Sequence, residues 1–157
     1  MRVLILPIED HRIQVIPRVI HDPRGDRERK RFELVLRKLV RDRTVDLIGE
    51  ETYPEKNTIA KKVANRLGLR WEAIEMSLKA RDELGITEDQ NNRPHGNETR
   101  VSSDGIREEF MVWKSLHKAG GAQSILIICG RMHKDAVAQK FREAGHKVDL
   151  DGLCNYV

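Results

Sequence analysis

The sequence predicts a single α/β domain over residues 1–157, with a largely parallel sheet carrying helices on both faces. Three observations carry this expectation. Apolar runs of strand length recur at Val3–Leu6, Val45–Ile48 and Ser124–Cys129. The stretches between them show helical periodicity, so the order reads strand, helix, strand, helix, strand, helix, helix, strand, helix, strand. The length of 157 residues suits one hydrophobic core. Right-handed crossovers follow from a parallel arrangement.

Each element has its own local reason. Val3-Leu4-Ile5-Leu6 is continuously apolar and closed by Pro7, as a strand buried on both faces would be. Residues 8–24 read as irregular, punctuated by Pro17 and Pro23. From Arg27 to Arg43, Phe32, Val35, Leu36, Leu39 and Val40 recur at helical spacing. A second strand, Val45–Ile48, ends at Gly49. Asn57 or Thr58 caps a helix through Ile59, Val63, Ala64 and Leu67 that Gly68 stops. Leu69–Ile74 alternates like a strand with one polar face, and residues 77–84 form a short helix ended by Gly85. Residues 87–105 hold almost nothing apolar and read as a polar loop or lid. Ser103 or Asp104 then caps a helix with Ile106, Phe110, Trp113 and Leu116 on one stripe. Ser124–Cys129 is the strongest strand. Asp135–Ala144 is a helix stopped by Gly145, and His146–Leu150 is the last strand.

Composition narrows the function classes. No apolar run approaches the roughly 18–20 residues of a membrane span. The apolar stretch at Met1–Pro7 is too short for a secretory signal, and two cysteines imply no disulfide framework, so a cytoplasmic protein is expected. Cys129, inside an apolar strand, reads as a small buried hydrophobe. Glycine-rich dinucleotide and phosphate loops, Cys-x-x-Cys and the Gly-x-Ser-x-Gly elbow are all missing from the sequence.

The chain is basic, with 29 Lys and Arg against 25 Asp and Glu. The surplus is local: ten basic residues and five acidic ones fall between Arg18 and Arg43. This segment makes nucleic acid or another polyanion an alternative partner for a non-enzymatic binding module. The interspersed acids and the single aromatic, Phe32, favour a solvated helix face instead.

In parallel sheets, ligands bind outside the carboxyl ends of the strands. Glu9-Asp10-His11-Arg12 follows the first strand, Gly49-Glu50-Glu51-Thr52 the second, and Gly130-Arg131-Met132-His133 the strand at 124–129. The helix entering that last strand begins with Arg107-Glu108-Glu109 at the same edge. His11, Glu50, Glu51, Arg107 and His133 would thus converge, and imidazoles, carboxylates and Arg suit a divalent metal or an anionic substrate. Taken singly, each has a plain reading: a surface His, helix-capping carboxylates, a turn glycine. Arg107 at a helix start opposes the macrodipole, which favours a specific partner for it. His21, His95, His117 and His146 show no such convergence.

These motifs, in this order, resemble the TraB/Tiki/ChaN/erythromycin-esterase-like superfamily. Its pattern is Gly-x-x-His, a Glu pair, an Arg-bearing helix and a second Gly-x-x-His. The counterparts here are Ile8-Glu9-Asp10-His11, Gly49-Glu50-Glu51, Arg107-Glu108-Glu109-Phe110-Met111 and Gly130-Arg131-Met132-His133. Ile8 stands where the first motif has Gly. The superfamily includes metal-dependent peptide cleavage, macrolide ester hydrolysis and haem binding, so the resemblance implies a site more firmly than a reaction.

The expectation is a small hydrolase-like protein, acting on an ester or amide, or a protein that binds a ligand at this site without turnover. In a metal-dependent form, one divalent ion would sit on His11, Glu50 and His133, a bound water would supply the nucleophile, and Glu51 would act as base. Arg107 would neutralise oxyanion charge. In a metal-free form, His11 would be the general base, oriented by a Glu.

Overall fold

The computed structural model describes residues 1–17, 22–87, 90, 92–94 and 96–150. His21, His95 and Cys154 lie outside the described residues. In chain order the elements are β1 (Arg2–Ile8), α1 (Pro23–Arg43), β2 (Leu47–Glu50), α2 (Ile59–Leu67), β3 (Arg70–Ala73) and α3 (Leu78–Glu83). They continue with α4 (Glu98–Ala119), β4 (Ser124–Gly130), α5 (Lys134–Glu143) and β5 (Lys147–Asp149). Short 3₁₀ turns at His11–Ile13 and Arg131–His133 follow β1 and β4.

The five strands form one sheet in the order β3-β2-β4-β1-β5, and every pairing is parallel. The apolar runs occupy its centre. β1 and β4 pair from Arg2 with Ser124 through Ile8 with Gly130, and β4 is buried along its whole length. Alternation sends Leu4, Leu6, Ile8, Leu126 and Ile128 to the face covered by α1 and α2. Val3, Ile5, Ile125, Ile127 and Cys129 point to the other face, against Met111 and Val112 of α4 and Phe141 of α5. Both faces are therefore covered, as continuously apolar strands require.

The caps follow the side chains that form them. Thr58 accepts from Lys61 N at the start of α2, and Gly68 closes it at φ 67°. Ser77 caps α3. Asp22 caps α1 with Pro23 in its first turn, so the helix starts earlier than its apolar stripe suggests.

Pro7 does not close the first strand but lies within it. Arg2 N donates to Gln123 O on the β4 side, so alternation turns Pro7 nitrogen to the opposite side. There β5 ends at the level of Leu4, and no ladder hydrogen bond is lost.

The second departure is α4, which begins at Glu98 inside the stretch read as a polar loop. Asn97 accepts from Thr99 N, and Asp104 pairs with both Arg100 at 3.0 Å and Arg107 at 3.3 Å. Caps and pairs one turn apart make helix from a sequence with little to bury. Arg107 consequently lies inside the helix, where the macrodipole objection to its position has no force. The buried stripe of α4 is Ser103, Arg107, Glu108, Met111, Val112 and Ser115, whereas Trp113 is 58% exposed. Among the described residues, no helix is long and apolar enough to cross a membrane.

Candidate functional site

The strand order creates a switch point between β1 and β4. From β1 the chain passes through α1 on one face towards β2. From β4 it passes through α5 on the other face towards β5. Connections leaving neighbouring strands in opposite directions open a crevice beyond their carboxyl ends. His11 and His133 stand on the two 3₁₀ turns at that crevice. Backbone bonds carry the sheet pattern just past its formal ends: Glu51 N donates to Ile128 O and Ile74 N to Glu50 O, each at 2.8 Å. Glu51 and Glu75 are thereby fixed at the same edge. On α4 the buried stripe turns from apolar at Met111 and Val112 to charged at Arg107 and Glu108.

One buried network centres on Arg107. Its guanidinium donates to Glu51 Oε1 at 3.2 Å, to Glu75 Oε2 at 2.5 Å and to Asp104 Oδ1 at 3.3 Å. Arg81 reaches Glu75 from α3 at 3.0 Å. Burial pushes the Glu75 carboxyl pKa up, but the paired Arg107 guanidinium outweighs this and holds it below the ordinary carboxylate value. His133 lies between two carboxylates, with Nδ1 2.8 Å from Glu108 Oε1 and Nε2 3.6 Å from Glu51 Oε1. Burial disfavours its charged form, yet the Glu108 hydrogen bond and the Glu51 charge prevail, so its pKa is raised above the ordinary imidazole value. Glu51 is also held through Oε2, which accepts from Gly130 N at 2.7 Å.

A second network positions His11. Glu50, fully buried, accepts from Gln14 Nε2 at 3.0 Å, Thr58 Oγ1 at 2.6 Å and Trp71 Nε1 at 2.7 Å. Burial raises its pKa against the effect of these donors. Because the Gln14 amide turns its NH2 group to Glu50, it offers Oε1 to His11 Nδ1 at 2.7 Å. The proton of neutral His11 therefore sits on Nδ1, and Nε2 carries the lone pair. A methyl group added at Gly130 would lie 3.0 Å from that Nε2 and 3.5 Å from Glu51 Oε2, so the glycine leaves room for both side chains at the end of β4.

All five residues singled out in the sequence lie at this edge, in different capacities. Glu51, Arg107 and His133 share one network. Glu50 supports His11 from behind through Gln14, and three donors occupy its two oxygens. Arg107 has its guanidinium committed to three carboxylates, so it positions Glu51 and Glu75. Among the described residues, no group of three His, Cys, Asp or Glu side chains is gathered to hold a metal ion.

Three contributors were missed in the sequence. Glu75 follows β3, and applying the strand-end rule to that strand as well would have found it. Glu108 adjoins Arg107 on the inward face of α4. Gln14 lies three residues after His11 across a 3₁₀ turn, a spacing at which side chains eclipse. Cys129 is fully buried, and burial raises its thiol pKa well above the ordinary value, which makes it inert packing. No protein-family model, curated protein or solved structure matches this chain, so the geometry of the edge is what speaks for its chemistry.

Proposed function

We propose that the chain is a hydrolase for an ester or amide, with its reaction at the carboxyl edge between β1 and β4. The observation that carries this reading is the Glu50–Gln14–His11 relay, which leaves His11 Nε2 as a proton acceptor beside Glu51 and Gly130. In this reading a water gives its proton to His11 Nε2 as its oxygen attacks the carbonyl carbon. His133, kept charged by Glu108 and Glu51, supplies the proton that the leaving group needs when the tetrahedral intermediate collapses. The buried His133 is thus the acid, and the exposed His11, oriented through Nδ1 by Gln14, is the base. The order of the four motifs, resembling the TraB/Tiki/ChaN/erythromycin-esterase-like superfamily, supports a site at this edge.

A second reading has one observation in its favour. His133 Nε2 and Glu51 Oε1 are 3.6 Å apart, too far for a good hydrogen bond but suitable for two ligands of one ion. Both imidazoles are also held from behind at Nδ1, as metal-ligating histidines usually are. An ion on His133 and Glu51 would acidify a bound water, and His11 would have to move in to complete the set, since among the described residues no three such side chains are gathered.

The test is turnover of a panel of chromogenic esters and amino-acid anilides by the purified chain, before and after exhaustive chelation. Turnover that survives chelation and is lost in both His11→Ala and His133→Gln is expected from the acid–base reading. Loss on chelation with recovery on adding a divalent ion selects the metal reading. Turnover unchanged in both variants, or none across the panel, contradicts the hydrolase assignment.

A further inference from the structure

The basic segment of the chain looked like a face of mixed charge in sequence, and the structure separates its signs. Arg27, Lys30, Arg31, Arg37, Lys38 and Arg41 of α1 are all exposed. At about 100° per residue they fall within an arc of about 120° centred on Leu34. The buried residues Phe32, Leu36, Leu39 and Val40 occupy the opposite side. The acids lie on the flanks, where they serve other groups. Asp26 pairs with Arg29 at 2.7 Å, and Glu28 pairs with Arg24 at 3.3 Å. Glu33 turns towards α2, holding Lys62 at 3.0 Å and Arg66 at 2.9 Å. Asp42 takes only Arg41 from the outward row, at 3.3 Å. Among the described residues, the other five cations of that row make no ion pair.

We infer that this outward face of α1 binds the phosphate backbone of a nucleic-acid duplex. The row from Arg27 to Arg41 is about 21 Å long at 1.5 Å per residue. That length spans about six base pairs at 3.4 Å per step. A helix of 10–12 Å diameter is also about as wide as the major groove. Single-stranded nucleic acid is bound through stacking aromatics as well as cations, and this face holds none. A lipid surface calls for an apolar stripe beside the cations. The apolar stripe of α1 is spent on the core, and Leu34, 65% exposed, is the one large apolar side chain on the outward face. A row of six cations on one helix face, five of them without an ion pair among the described residues, complements a duplex best. The inference uses no residue of the proposed hydrolytic site.

Fluorescence anisotropy of a labelled mixed-sequence 20-base-pair duplex, made as DNA and as RNA, tests this with the full chain. Five phosphate contacts give a slope of about −4.5 in log affinity against log salt, so raising salt from 50 to 200 mM should weaken binding about 500-fold. The triple variant Lys30→Glu, Arg31→Glu, Lys38→Glu should lose at least 100-fold in affinity with an unchanged circular dichroism spectrum. Lys79→Glu, on the exposed surface of α3, should stay within about two-fold. Binding of either duplex with these responses supports the inference. No binding at 50 mM salt, a slope near zero, or a charge reversal without effect overturns it. So does tighter binding to a single strand of the same sequence, or to anionic phosphatidylserine vesicles, than to either duplex.

Discussion

At the carboxyl edge of the sheet, Arg107, Glu51, Glu75, Glu108 and His133 are removed from water, and each is matched to partners of opposite charge. On the outer face of α1, cations of the same chemistry stand in solvent, most of them without an ion-pair partner. The difference follows from dielectric. An unmatched charge inside a protein costs several kcal/mol, whereas water solvates one on a helix surface at little cost. Burial therefore spends its charges on one another and fixes their geometry, while exposure leaves them available to a partner. A buried charged cluster accordingly indicates where chemistry is held in place, and an exposed one indicates what the molecule can attract.

This contrast can be broken by removing one charge from each region. Arg107→Met leaves Glu51, Glu75 and Asp104 without their common partner and should cost about 3–5 kcal/mol in urea unfolding. A cost below about 1 kcal/mol would mean that the network is already solvated. Gly130→Ala puts a methyl group 3.0 Å from His11 Nε2, so the ring must move. Turnover should then fall on the order of 100-fold with little change in stability. Smaller again is the pH dependence from His133. Its folded pKa is raised, so its contribution to stability is complete below the ordinary value of about 6.5 and is lost as pH rises through the higher folded value. Glu108→Gln should flatten that decline, seen as unfolding midpoints that converge towards alkaline pH. The least effect belongs to α1: the triple reversal at Lys30, Arg31 and Lys38 should leave the urea midpoint close to that of the unaltered chain, because these side chains touch solvent.

The strands and most helices were legible because burial on both faces leaves unbroken apolar runs and because caps such as Thr58 and Gly68 act locally. The start of α4 was not legible, since ion pairs and a cap hold its first turns together without apolar periodicity. Pro7 misled because strand pairing on the β5 side stops short of it, which only the register reveals. The site was legible as three strand-end segments, since topology alone brings such segments to one edge. Its division of labour was hidden. Glu50 and Glu51 are adjacent in sequence but point to opposite faces, so one supports His11 through Gln14 and the other meets His133. Likewise the flanking positions of Asp26, Glu28 and Glu33 follow only from the helix face that packs on the sheet.

The placement of protons at the edge is read most directly by long-range nitrogen-15 correlation spectra of the histidine rings across a pH titration. His133 should remain charged at pH values above 6.5, and neutral His11 should carry its proton on Nδ1 with Nε2 bare. A neutral His133 at pH 6.5, or a proton on His11 Nε2 in the neutral ring, would contradict the acid–base arrangement proposed for this edge.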